Sequence, residues 1–427
     1  DFCLSRGLGD VYKRQALDTR TGSPLPGWPV TIAGSATNDP GSIFNPVTQL
    51  QRPGLLLADG QVFLAFGGIC NQEPYRGWIA GVSIATHRLH LWTDQPSGAA
   101  GATGQGGIWE SGSLLEADAS GTLFVASGNG LSPPPGPASM PTSALANSVL
   151  RLAVDADGSL RLVDRFTPAA GDGLNARDLD LGSGGPTLLP SGFSVPGHSH
   201  LLVQTSKSGV LYLLDQDRLG GRDQGRGGAD GAVAEAGPYE GALSQPAAWA
   251  QGGYIYVTGT LSILRGQPQP TLRAYRVVVA GQQVSLRMVA AAASIFGYAS
   301  GPPIVTAGGT GSAYVWVIET PAGDERVGEL RAYHAAPQRG QLVVAARVAI
   351  QNPVKFSRPA IDGDDLVLAT ASGTLEAFAV SAFVEGPTTG NATGGSIPLV
   401  VPMLFAGLLV VSCTAALSWR RRRLAHR

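Results

Sequence analysis

RPGLLLADGQVFLAFGG at Arg52–Gly68 returns in altered form as SGSLLEADASGTLFVASGNG at Ser111–Gly130 and as SRPAIDGDDLVLATASGTLEAFAV at Ser357–Val380. The shared skeleton is a small residue or proline, an apolar step, a turn with Gly or Asp, and an apolar run ending in Ala, Thr or Ser and then Gly. Three further copies lie between. SGGPTLLPSG at 183–192 resumes after an insertion as HLLVQTSKSGVLYLLDQD at 200–217. SQPAAWAQGGYIYVTG at Ser244–Gly259 is followed by LRAYRV, and SGPPIVTAGGTGSAYVWVIET at Ser300–Thr320 by ELRAYH. Pro53, Pro186, Pro246, Pro302 and Pro359 mark the copies at a period of roughly 55–75 residues, with Gly112-Ser113 in the proline's place in the second.

A unit of three or four short strands cannot bury both of its faces alone. It must stack on its neighbours, and radial stacking of antiparallel sheets into a ring is the usual outcome. Near-continuous apolar strands such as VFLAF, YVWVIET and LVLATA suit sheets covered on both faces. Gly 59 and Pro 30 in 427 residues supply the many turns such a chain needs. The expected fold is therefore all-β, a β-propeller over residues 16–381. ALDTRTGSPLPGWPV, at 16–30, looks like the closing strands of a further blade whose first strands lie upstream. Six visible units plus that remnant suggest seven or eight blades in the intact protein, with the propeller truncated here at its N-terminus.

The two ends differ from the repeats. Residues 1–15, DFCLSRGLGDVYKRQ, resemble translated sequencing-adapter sequence of the kind found at the ends of metagenomic fragments, and are set aside from the fold. Residues 382–396 are polar and rich in Gly and Thr, as a flexible stalk would be. Residues 397–419, IPLVVPMLFAGLLVVSCTAALSW, carry no charge and as a helix would span roughly 34 Å, enough to cross a hydrocarbon core. Arg420, Arg421, Arg422 and Arg423 follow at once, within a basic tail at 420–427. Basic residues favour the cytoplasmic side, so a single-pass cell-membrane protein is expected, with its propeller outside and its C-terminus in the cytoplasm.

Composition narrows the function. A net charge of -1 gives no nucleic-acid footprint. The three cysteines, Cys3, Cys70 and Cys413, form neither a CxxC nor a vicinal pair, so no zinc site and no disulfide framework is legible. Gly106-Gly107-Ile108-Trp109-Glu110-Ser111 precedes what should be the innermost strand of its blade. Trp109, Glu110 and Ser111 are thus candidates to line the central channel and contact a small ligand; the competing reading packs Trp109 between blades. Gln51 and Arg52 hold the equivalent place one blade earlier. Asp155-Ala156-Asp157-Gly158 resembles part of a calcium loop but lacks the closing Glu, and a hairpin turn is expected there. The Gly-rich, charge-alternating insertion LDQDRLGGRDQGRGGADG at 214–231 is expected to be a mobile surface loop.

The fragment at 16–30, the repeats ending in SGTLEAFAV and SKSGVLYLLD, and GGIWESGSLLEADASGTLFVASGNG resemble PQQ-like β-propeller repeat proteins of the quinoprotein-dehydrogenase-like superfamily. The resemblance covers residues 16–380. It implies either a quinone-dependent dehydrogenase or a propeller that binds no cofactor and acts as a scaffold. The dehydrogenases need carboxylates and amides holding calcium against the quinone, a catalytic Asp, an aromatic floor and often a vicinal disulfide. Here the vicinal disulfide cannot form, no CxxCH haem motif occurs, and no calcium set can be assigned by spacing. The expectation is a membrane-anchored extracellular module that binds or scaffolds a protein or small molecule, without a cofactor. A dehydrogenase using PQQ with calcium is the alternative, and a calcium- or glycan-binding module is the third.

Overall fold

The computed structural model describes residues 11–69, 74–95, 104–260, 269–308, 312–321, 323 and 326–381. The stalk, the apolar span at 397–419, the basic tail and all three cysteines lie outside the described residues. Among the described residues no helix is long and apolar enough to cross a membrane.

Each of the six repeats forms one sheet of antiparallel strands in chain order; Gln341–Leu342 adds a parallel fifth strand to the fourth. Blade 1 is Leu56–Ala58, Gln61–Gly68, Trp78–Ser83 and Leu89–Thr93; blade 2 is Glu116–Ala117, Leu123–Ala126, Val149–Val154 and Leu160–Phe166. Blade 3 is Thr187–Leu188, Leu201–Gln204, Leu211–Asp215 and Ala234–Ala236. Blade 4 is Ala247–Trp249, Tyr254–Thr258, Leu272–Ala280 and Gln283–Ala292. Blade 5 is Ile304–Ala307, Ala313–Glu319, Val327–His334 and Val344–Gln351. Blade 6 has three strands, Ala360–Asp362, Asp365–Ala369 and Leu375–Ala379.

The core is a series of seams between blades. On one strand of blade 1, Phe63 and Ala65 face blade 2 and meet Leu123, Val125 and Leu150. Their neighbours Leu64 and Phe66 face the other way and meet Ile32 and Phe44. Side chains alternate across a strand, so a strand buried on both faces must be apolar at every step. That is why VFLAF shows no polar alternation. The same arrangement joins blades 2 and 3 through Phe124, Phe166, Leu202 and Tyr212, and blades 3 and 4 through Val203, Leu213, Ile255 and Tyr275. Tyr256, Ala274, Val315 and Tyr333 fill the next seam, and Trp316, Ile318, Leu366 and Leu368 the one after it.

The structure builds six blades among the described residues, not the seven or eight expected. The fragment after Ala16 contributes one strand, Val30–Ile32, which pairs antiparallel with Tyr12–Arg14. That two-stranded ladder packs on blade 1 through Ile32 and through Tyr12, whose ring meets Phe66 edge-on at 5.2 Å.

The turn at Asp155–Gly158 joins Val149–Val154 to Leu160–Phe166 as a hairpin, with Gly158 at φ 93. The insertion at 214–231 is a correction: it is tied down. Arg222 is buried, donates to the Pro133 carbonyl at 2.6 Å and pairs with Asp172 at 2.9 Å, while the Leu219 amide donates to Asp164 at 2.9 Å.

Candidate functional site: the central channel

The six repeats put the residue before the marker proline at one place in every blade, where the chain reaches the axis to begin the innermost strand. Those residues are Arg52, Gly112, Gly185, Gln245, Gly301 and Arg358. Crowding excludes a side chain at Gly112 and Gly301 and leaves little room for one at Gly185. A Cβ on Gly112 would lie 1.8 Å from the carbonyl oxygen of Phe356 and 3.2 Å from Pro302. One on Gly301 would lie 1.9 Å from the Ser357 carbonyl oxygen, and one on Gly185 3.2 Å from Glu110. Blades 2, 5 and 6 therefore meet at the axis by backbone contact, and this constriction divides the channel in two.

On one side is a funnel of about 870 Å³ whose wall takes residues from all six blades. Leu114, Leu188, Ile304 and Ile361 supply apolar wall, and Arg52, Glu116, Lys355 and Arg358 the charges. Gln245 links three blades. Its Nε2 donates to Glu116 Oε1 at 2.8 Å and to the Pro186 carbonyl at 2.7 Å; its Oε1 accepts from Arg358 Nη1 at 2.9 Å and from the Leu114 amide at 3.2 Å. Gly185 and Gly301 flank Gln245 in the ring. Burial pushes the Glu116 carboxyl up to about 7, against the pull of Arg358 and the Gln245 hydrogen bond. Burial likewise lowers the Arg358 pKa, with Glu116 opposing it.

On the other side is a smaller, polar cavity of about 450 Å³, in which Arg52 and Ser111 appear again with Trp109, Asp178, Asp180 and Lys207. Lys207 pairs with both Asp178, at 3.1 Å, and Asp180. Asn129 donates its side chain to Asp178 at 2.8 Å and its amide to Asp180 at 2.7 Å.

Of the residues singled out in the sequence, Arg52, Trp109 and Ser111 come together at the constriction. The Arg52 guanidinium lies 5.1 Å from the Trp109 ring centroid and its Nη1 is 3.5 Å from Ser111 Oγ. Trp109 is 8% exposed; the backbone at Gly67, Gly107 and Gly128 hems in its indole, and the Tyr75 ring meets it edge-on at 5.5 Å. Glu110 is fully buried: one oxygen accepts from the Ala126 amide at 2.7 Å, the other has no partner among the described residues. Burial pushes its carboxyl well above the usual range, and its side chain braces the second strand of blade 2. Gln51 lines the funnel and donates to the Pro53 carbonyl within its own blade, at 3.1 Å.

These residues do not fit a quinone with its calcium. The indole offers no open face for a planar ring, and the Asp178–Asp180 pair is already engaged by Lys207 and Asn129. Among the described residues no group of three or more His, Cys, Asp or Glu side chains is placed to hold a metal. His198 and His200, in the insertion of the third repeat, pair instead with Asp215 at 2.6 Å and Asp217 at 2.8 Å.

No protein-family model matches the chain, and no curated protein matches it. Among solved structures, quinohemoprotein alcohol dehydrogenase from Comamonas testosteroni superposes with a TM-score of 0.51 at 14% identity, over 86% of this chain and 59% of that one. A quinohemoprotein alcohol dehydrogenase from Pseudomonas putida HK5 gives 0.42 at 14% identity, over 86% and 54%. BamB from Moraxella catarrhalis gives 0.39 at 13% identity, over 86% and 100%. The chain thus spans little more than half the length of the two dehydrogenases. What the first superposition shows is the fold, and that fold is the PQQ-like β-propeller.

Proposed function

We propose that this protein is a binding module whose ligand enters the funnel on the propeller axis. The observation that carries the reading is the funnel itself. It has the size of a small-molecule site, about 300–1,000 Å³, and combines apolar walls with a few convergent polar groups from separate blades. The misfit of the Trp109 region to a quinone weighs against dehydrogenase chemistry. Anchoring belongs to the same proposal: 23 uncharged residues followed by four arginines would hold the propeller outside the cell membrane, with the C-terminus in the cytoplasm.

The test is retention. Wild-type protein is washed, denatured and extracted, and the released small molecules are compared by mass spectrometry with those from Ala360→Trp. Ala360 is exposed in the funnel wall, so the indole would occupy the cavity without entering the core. A compound held by wild type and missing from the variant supports the reading. Equal retention by both contradicts it. Dye-linked alcohol oxidation after addition of PQQ and calcium would revive the dehydrogenase.

A further inference from the structure

Resting on the reading of the funnel as a ligand site, we infer that it takes a small amphiphilic monocarboxylate, its carboxylate received by Arg358 and its apolar part lying along Leu114, Leu188, Ile304 and Ile361. Arg358 is half-buried in the funnel wall, and its one hydrogen bond among the described residues goes to the neutral amide oxygen of Gln245. No carboxylate among the described residues lies within ion-pair distance of it. A guanidinium is a planar fork of five donors suited to a carboxylate, and Glu116 acts on this one only at a distance, with Gln245 bridging the two, so most of the fork is left for a ligand.

The other cations of the wall are placed differently. Arg52 lies over Trp109, and the Lys355 ammonium lies 4.1 Å from the Tyr298 ring centroid and 5.1 Å from that of Phe356. The wall thus carries three cations and one acid, Glu116, a charge balance that favours an anion. One negative charge is the better match. Arg358 is the cation set beside the apolar wall, while Arg52 and Lys355 are held over aromatic rings.

Glu116 also makes binding depend on pH. The groups that bear on it are Arg358 from blade 6, Gln245 from blade 4 and Glu110 from its own blade, whose carboxyl burial raises. A ligand carboxylate seated on Arg358 removes the attraction that keeps Glu116 ionised and adds a repulsion, so binding draws a proton onto it. Affinity therefore rises as pH falls through about 7.

The experiment is calorimetric titration of the full chain with 4-phenylbutyrate and, as its uncharged counterpart, 4-phenylbutan-1-ol, at pH 6 and pH 8. Phenylbutyrate should bind more tightly at pH 6, with proton uptake seen as a dependence of the heat on buffer ionisation enthalpy. Arg358→Gln should weaken it by about tenfold or more, the loss of one charge-assisted contact, and leave the alcohol unchanged. Arg358→Lys, which keeps the charge without the fork, should fall between them and covers the case in which the first variant does not fold. Glu116→Gln should remove the proton uptake. If the alcohol binds as tightly as the acid and Arg358→Gln changes nothing, the carboxylate inference fails while the funnel stands as a ligand site. If wild type binds neither probe, the inference also fails, and retention in Ala360→Trp decides the funnel separately.

Discussion

Gly112→Ala tests the backbone contact that closes the channel. Gly112 sits at φ 67, and the added methyl would lie 1.8 Å from the Phe356 carbonyl oxygen. Two costs follow. Holding an L-residue in the left-handed region costs about 1–2 kcal/mol. Relieving the overlap requires blades 2 and 6 to part by well over an ångström at the axis, and crowding of that kind typically costs about 1–3 kcal/mol. The total is about 2–5 kcal/mol. Gly363 separates the two terms: it has nearly the same φ, 60, in the first turn of blade 6, with nothing within 4 Å of its Cβ position. Gly363→Ala should therefore show only the conformational cost. Urea unfolding of both variants, compared through their midpoints at unchanged slope, should place Gly112→Ala lower by about 1–3 kcal/mol. Equal destabilisation would mean that Phe356 does not reach the axis and that the channel is not divided there.

Three further outcomes are expected, two from the structure and the last from the proposed anchoring. Asp94 is fully buried; one oxygen accepts from the Gly77 amide at 2.9 Å, the other has no partner among the described residues, and burial raises its pKa from 3.8 to about 7. The folded state then binds more protons than the unfolded one across that window, so stability falls as pH rises from about 4 to about 7, and Asp94→Asn should flatten the fall in unfolding measured at several pH values. Arg273 and Glu240 form a buried pair at 2.7 and 2.8 Å, so Arg273→Met should cost about 3–5 kcal/mol in denaturant unfolding, with part recovered when Glu240→Leu is added. Protease added to intact cells should digest the propeller and spare a C-terminal tag, and replacing Arg420 to Arg423 with Ser should weaken that orientation; a digested tag with a surviving propeller would reverse the topology.

Much of the fold was legible because repetition reports architecture directly. Six copies of one skeleton became six sheets, and runs such as VFLAF marked sheets covered on both sides. Six blades form among the described residues, and ALDTRTGSPLPGWPV, read as the closing strands of a further blade, leads into one strand of a two-stranded ladder. Composition could not show that its single strand would pair with Tyr12–Arg14 rather than complete a sheet. The site was legible in part. Position before the innermost strand found Arg52, Trp109 and Ser111, which do meet at the axis. It also picked out Glu110, whose side chain turns into the wall to hold the Ala126 amide. Glu116, Gln245 and Arg358 were missed because they belong to three different repeats and meet only when the ring forms. A signal was present: Gln245 and Arg358 each stand immediately before a marker proline, as Arg52 does.

Site-specific photo-crosslinking measures directly whether a ligand sits in the funnel. The photoreactive amino acid p-benzoylphenylalanine would replace Ile361 in the funnel wall in one sample, and Val279, exposed on the outer hairpin of blade 4, in another. After illumination in cells, mass spectrometry of the purified protein should find a covalent small-molecule adduct at position 361 and none at 279. Adducts of equal yield at both positions, or at 279 alone, would contradict a ligand site on the propeller axis.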